Sequence, residues 1–309
     1  MNWNPIDLPD QTGRTFVVTG ATAGIGYFAA EQLAAAGAHV VLASRSAAKL
    51  RVARDAIVSQ VPAASVGSVV LELSSFSSVD AAIAEFAALP RLDGILLNGG
   101  AMSMNRAAVT DDGLPLMLGT HVIANVRLIA ALLPQLAATG REHGTTGRMV
   151  HASTGFVAKR NYDLADVRRQ PWTSIGAYTK AKTATEVFAF ELDRRLRDAG
   201  LPVASVVTRP GVGVDAKTPE RAGVRDATTP YQRNPYTPWA QGKDTAAWSS
   251  VRGLTDPSVT GGEYFAPREG LRGEPVAVTP MPRTATPEPS IAADVWEQLE
   301  RLAGVRLAL

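Results

Sequence analysis

The sequence contains no cysteine, which rules out a disulfide framework, a thiolate nucleophile and a cysteine-ligated metal, and which suits a reducing cytoplasm. Histidine is scarce too. The four, at positions 39, 121, 143 and 151, show no metal-ligand spacing, and no metal site is expected. Charge of neither sign is in excess: 31 basic and 29 acidic residues leave +2, far from the clustered positive face that nucleic-acid binding needs. No unbroken apolar run is long enough to suggest a membrane span. The best stretch, residues 114–138, is interrupted by His121, Asn125, Arg127 and Pro134, and reads as a buried helix of a soluble protein. The opening MNWNPIDLPDQTGR has neither a basic nor an apolar region of the kind a secretory leader carries. What remains is a soluble, cytoplasmic chain. Its 309 residues, 46% of them apolar, suffice for a sizeable core.

Two periods alternate through the first two thirds. Short β-branched or leucine-rich runs occur at 14–20, 38–44, 67–73, 93–99, 147–153 and 202–208, separated by alanine-rich segments of helical spacing. Strand and helix repeated in this way predict an α/β fold, a parallel sheet with helices on both faces. Gly37 and Gly200 are placed to end helices in the left-handed conformation. Beyond residue 210 the pattern dissolves. Residues 211–243 read as a long loop, of which 212–241 form a substrate-lid candidate whose Tyr231, Tyr236 and Trp239 either pack a substrate or anchor the loop. A helix near 242–252, a strand at EYFA, extended surface chain through EPVAVTPMPRTATPEP and a helix near 289–304 complete the expectation.

Directly after the first strand comes TGATAGIG. Gly20, Gly24 and Gly26 stand in a GxxxGxG spacing, with Thr22, Ala23 and Ile25 between them and a helix following. Glycines at such a turn let backbone N–H groups approach a diphosphate, and the helix N-terminus adds partial positive charge. At the end of the second strand stand Ser44 and Arg45, with no acidic residue to engage both ribose hydroxyls. Arg45 suits a 2′-phosphate, which favours NADP(H) over NAD(H). Further on, GAYTKAK sets Tyr178 and Lys182 four residues apart, on one face of a predicted helix.

These motifs occur in register with others: LNGGA at 97–101, RPG at 209–211, and the segments LGTHVIANVRLIAALLPQL and GGEYFAP. Together the chain resembles the short-chain dehydrogenase/reductase family from about residue 12 to 266, and within it the retinol-dehydrogenase-like and protochlorophyllide-reductase-like branch. The resemblance implies a Rossmann-type doubly wound parallel sheet in a single domain spanning residues 1–309, with a C-terminal extension over about 267–309. It implies Tyr178 as the proton donor or acceptor, and Lys182 as the residue that holds the nicotinamide ribose and lowers the tyrosine pKa. An ammonium beside a phenol acts in that direction. The cofactor wall would be completed by Glu72 and Leu73, by Asn98, Gly99 and Gly100, and by Pro210 and Gly211. Where the family closes its fifth strand with a serine pair, this chain has Ser153 and Thr154. Thr154 takes the catalytic position, with Ser153 as the alternative. His121 falls where an asparagine supports a helix kink and a proton relay: either its ring takes over that relay and makes it pH-sensitive, or it fills space. Asn125, one turn away, is not read as a substitute.

The function expected is an NADP(H)-dependent interconversion of an alcohol and a carbonyl on a hydrophobic small molecule. A non-catalytic NADP(H) sensor or scaffold, or reduction of an activated carbon–carbon double bond, stands as the alternative. A homodimer or homotetramer is compatible with the family, and neither nucleic acid nor a membrane span is expected.

Overall fold

The computed structural model describes residues 3–105, 107–229 and 233–309. The chain runs β1 (Thr15–Thr19), α1 (Gly24–Ala35), β2 (His39–Ser44), α2 (Ala47–Gln60), β3 (Ser65–Val70), α3 (Phe76–Ala87) and β4 (Gly94–Leu97). It continues through α4 (Leu116–Leu118), a π-helical turn (Gly119–Ile123), α5 (Ala124–His143), β5 (Gly147–Ala152), α6 (Phe156–Lys159), α7 (Ser174–Asp198) and β6 (Val203–Thr208). The last part comprises α8 (Lys243–Ala246), α9 (Trp248–Thr255), β7 (Tyr264–Pro267), β8 (Pro275–Ala277), α10 (Pro282–Ala285) and α11 (Pro289–Ala303).

Among the described residues one eight-stranded sheet forms, in the order β3-β2-β1-β4-β5-β6-β7-β8. Pairing is parallel from β3 to β7, and only β8 runs antiparallel to its neighbour. The doubly wound α/β expectation therefore holds. Successive strand residues point to opposite faces, and both faces are covered. Val17, Val41, Ile95 and Met149 join a cluster with α3, α5, α7 and α11. Phe16, Val18, Leu42 and Val150 join a second cluster with α1, α2 and α9.

Each of the six expected strand runs overlaps a strand, and glycine ends the helices as anticipated, with Gly37 at φ 91° and Gly200 at φ 62°. The stretch from 274 to 289 departs from expectation. Instead of extended surface chain it holds β8 and α10, and Thr284 in α10 is fully buried. The segment from Leu116 to His143 is long and apolar enough to cross a membrane by length and composition alone, but 78% of its apolar window is buried inside the protein. It is packed as a core element, between the sheet and α3, α7 and α11.

Leu299 on α11 is 0% exposed in the cluster shared with α5 and α7. Leu299→Ala should lower the unfolding free energy by about 2–5 kcal/mol. Urea denaturation checks this, and a midpoint unchanged from wild type would show α11 to be dispensable.

Candidate active site

Strand order reverses between β1 and β4, the position at which open parallel sheets leave a crevice at their C-terminal ends. The floor of that crevice is made almost without side chains. Gly20 and Gly24 have φ of 68° and 61°, the left-handed region that glycine alone enters without strain. A Cβ on Gly26 would lie 2.5 Å from the Gly20 carbonyl and 2.6 Å from Asn98 Nδ2. A Cβ on Gly99 would meet Leu73 Cδ1 at 2.8 Å. Thr19, which the sequence reading passed over, stitches the two strands: its hydroxyl donates to the Leu96 carbonyl at 3.1 Å and accepts from the N–H of Asn98 at 3.0 Å and of Gly99 at 2.9 Å. Asn98 Nδ2 returns a bond to the Thr19 carbonyl at 3.1 Å.

Helix α1 begins at this floor after Ala23, with no side-chain cap and no acidic residue in its first turn. A cavity of about 550 Å³ adjoins the loop, lined in part by Thr22, Gly24, Lys49, Arg225 and Lys243. Lys243 is ion-paired with Asp215 of the same wall at 2.5 Å and Arg225 with Glu220 at 3.6 Å, so the glycine cradle, the uncapped helix N–H groups and Lys49 are what fit the diphosphate of a dinucleotide. At the far end, Thr22 and Ser44 share a hydrogen bond of 3.2 Å. The Arg45 side chain is 75% exposed, with one long contact of 3.9 Å to Glu72. Glu72 itself accepts from the backbone and hydroxyl of Ser74 at 3.0 and 2.9 Å.

The other side of the crevice carries the titratable groups. Tyr178 is half-buried on the first turns of α7, and Lys182, one turn on, is 3% exposed. Lys182 Nζ donates to the Ala152 carbonyl at 2.5 Å and sits 5.9 Å from the centre of the Tyr178 ring. Burial pushes the lysine down to about 8, opposed by the charge of Glu186. Burial also raises the Tyr178 phenol above its ordinary range, and a hydrogen bond with Thr154 pulls it back. The ammonium of Lys182 meanwhile points at a carbonyl of β5.

Ser153 and Thr154 separate clearly. The Ser153 hydroxyl is 3% exposed and committed to Glu186 Oε1 at 2.5 Å, whereas Thr154 is half-buried beside Tyr178. The geometry favours Thr154 as the hydroxyl presented to a substrate.

His121 lies in the π turn with its ring edge-on to Tyr178, centroids 5.2 Å apart. Its Nε2 faces the Ala101 carbonyl at 3.1 Å. A carbonyl only accepts, so Nε2 carries the proton and Nδ1 is the acceptor; Nδ1 is buried without a hydrogen-bond partner among the described residues. Burial, and then the charge of Lys182, hold the ring well below its ordinary pKa. Burial thus favours the neutral ring. A Cβ on Gly100 would collide with this ring, which explains a glycine at that position. Asn125 is tied to the kink: its Nδ2 donates to the His121 carbonyl at 2.9 Å, and Thr185 reaches the same oxygen at 3.5 Å. One helical turn is the spacing at which a side-chain amide can close onto a backbone carbonyl, and Asn125 does so.

The Pro210–Gly211 turn is tied to the sheet edge. Gln241 Nε2 donates to the Pro210 carbonyl at 2.8 Å, and Gly211 adopts φ 69°, packed so closely against Leu271 that no side chain fits. In the segment that follows, Tyr236 and Trp239 are 52% and 59% exposed, while Arg221 grips Glu31 of α1 through two bonds of 2.6 and 2.8 Å. Tyr231 lies outside the described residues.

A glycine-floored crevice at a strand-order reversal, beside a half-buried tyrosine and a buried lysine, is the arrangement expected of a nicotinamide-dependent oxidoreductase. Sequence comparison is more specific: residues 14–223 match the profile described as short chain dehydrogenase. The chain belongs to the short-chain dehydrogenase/reductase family and is an NAD(P)-dependent dehydrogenase/reductase. A polyprenol dehydrogenase of Mus musculus is 32% identical over 282 residues, covering 89% of this chain and 81% of that protein. One of Danio rerio is 25% identical, covering 97% and 90%. A crystal structure of an uncharacterised protein from Mycobacterium Paratuberculosis superimposes with a TM-score of 0.78 at 27% identity, over 100% of both chains. These relatives agree with the branch expected from the motifs.

Gly26→Ala should weaken NADPH binding and cost about 1–3 kcal/mol of stability through overpacking. Fluorescence titration and a thermal melt measure the two effects. Wild-type behaviour in both would mean that the floor yields.

Proposed function

We propose that the protein is an NADP(H)-dependent oxidoreductase that interconverts an alcohol and a carbonyl on a hydrophobic small molecule. The convergence of Tyr178, Thr154 and Lys182 at one end of the crevice carries this reading. The cofactor supplies or accepts a hydride. In the reducing direction the Thr154 hydroxyl donates a hydrogen bond to the substrate oxygen, and Tyr178 gives that oxygen its proton as negative charge develops. A phenol with a raised pKa is held protonated at neutral pH and is ready as an acid. Lys182, fixed against Ala152, holds the nicotinamide ribose and offers a positive charge to the phenolate that forms. The neutral His121 ring, edge-on to Tyr178, offers Nδ1 as an acceptor in the path that reprotonates the tyrosine.

Three features support the finer points. Ser44, Arg45 and Lys49 gather at the end of β2 and the start of α2, a neutral and cationic set that suits a 2′-phosphate. Met102, Met104, Phe156, Trp172 and Ile175 are exposed apolar side chains on the segments flanking Tyr178, which fits a lipophilic substrate. The mouse relative is a polyprenol dehydrogenase, and a long-chain alcohol of that kind matches such a rim. The segment over 212–241, of which residues 212–229 and 233–241 are described and Arg225 lines the cavity, is read as a substrate lid, and the chain as one domain working in the cytoplasm.

Tyr178→Phe should reduce NADPH-dependent turnover on a panel of long-chain aldehydes and ketones by about 10²–10⁴-fold, the usual contribution of a positioned acid, with NADPH affinity retained. Undiminished turnover would remove Tyr178 from the mechanism. Arg45→Ala should weaken NADPH by about tenfold, ~1.4 kcal/mol of charge-assisted bonding, and leave NADH nearly unchanged. Equal losses for both cofactors would withdraw the NADP preference.

A further inference from the structure

Glu186 lies on α7 one turn beyond Lys182, is 1% exposed, and has no part in the chemistry above. Its carboxylate is nevertheless filled. Ser153 donates to Oε1 at 2.5 Å from the end of β5, Tyr264 donates to the same oxygen at 3.0 Å from β7, and Thr284 donates to Oε2 at 2.9 Å from α10. Three elements far apart in sequence thus meet on one buried acid. Its pKa stands above the ordinary carboxylate value: burial raises it, and the three hydroxyls and the charge of Arg209 oppose that rise only in part. An ionised carboxylate is purely an acceptor, and a shell of three donors with two cations nearby, Lys182 and Arg209, is arranged for that form.

The other titratable groups around the pair do not provide a competing charge. His151, on β5, is held down at about 3 by burial and by Lys182, and His121, in the π turn, is also kept neutral. Burial raises the phenols of Tyr264 and Tyr178. Of these groups Glu186 alone offers Lys182 a negative charge.

We propose that Glu186 is a positioning residue for the proton-transfer pair: it retains the Ser153 hydroxyl so that Thr154 alone faces the substrate, and it is the counter-charge that keeps Lys182 an ammonium. The first part rests on hydrogen bonds, the second on the placement of a buried anion one helical turn from a buried cation. The catalytic consequence rests on the function proposed above. The electrostatic one does not.

The test uses the full chain labelled with ¹³C-lysine, the Lys182 Cε resonance being the one lost in Lys182→Arg. In wild type Lys182 should titrate near 8. In Glu186→Gln, which keeps the shape while the hydroxyls rotate to suit an amide, the midpoint should fall by about one pH unit. Ser153→Ala, which spares the carboxylate, should move it far less. An unchanged midpoint in folded Glu186→Gln overturns the proposal. If that variant does not fold, the ¹³C carboxyl resonance of Glu186 in wild type decides: it must titrate below Lys182, and a carboxyl still protonated where Lys182 loses its proton overturns the proposal equally. For activity, the loss of carbonyl reduction as pH rises should move to lower pH in Glu186→Gln by the same amount. A shifted resonance with an unmoved pH–rate profile would uphold the counter-charge and count instead against the role given to Lys182.

Discussion

The close approach of β1 and β4 at their C-terminal ends is the constraint on which the rest of the structure depends. The Thr19 hydroxyl is bonded to three backbone groups of the opposite strand and its turn, and Gly26 lies so near Gly20 and Asn98 that no side chain fits between them. This contact brings the first turn of α1 down to the sheet and leaves its N–H groups directed at the crevice. It also fixes the turn at 98–100, whose last glycine accommodates His121, and through His121 the edge of Tyr178. A packing requirement at one point thereby sets the distance between the floor of the cofactor site and the acid that serves it.

The chemistry of the site is governed by desolvation. Tyr178, Lys182, His121 and His151 each have a pKa displaced toward the neutral form, and in each case burial is the foremost cause. A low-dielectric pocket makes each remaining charge stronger in effect, which suits a reaction that builds negative charge on an oxygen. It also makes every charge costly to hold. The pocket meets that cost with directed partners: the Ala152 carbonyl for Lys182, and three hydroxyls for Glu186.

How much of this was legible follows from how the information is distributed along the chain. Period and punctuation are local, and the strands, the glycine loop and the Tyr178–Lys182 spacing could be read from a few adjacent residues. Thr19 and Glu186 could not, because their partners lie 33 to 98 residues away and nothing in their immediate sequence marks them. Asn125 left a trace, an amide inside an apolar helix, but not its bond to the His121 carbonyl in the π turn. The 274–289 segment was misread since proline and threonine hide the short strand and the buried Thr284. Spacing likewise shows that a lysine stands near Tyr178 but says nothing of how dry the pocket is.

The bond from Thr284 to Glu186 spans 98 residues and closes the innermost layer of the site from the far end of the chain. A nascent chain emerges from the ribosome N-terminus first, so the glycine loop, Tyr178, Lys182 and Glu186 are all made before the hydroxyl that completes their shell. Until α10 arrives, the Glu186 carboxylate lacks one of its three donors and must keep water or a proton in its place. Synthesis therefore has a definite order, in which the glycine loop, Tyr178 and Lys182 all precede the last donor to the Glu186 carboxylate.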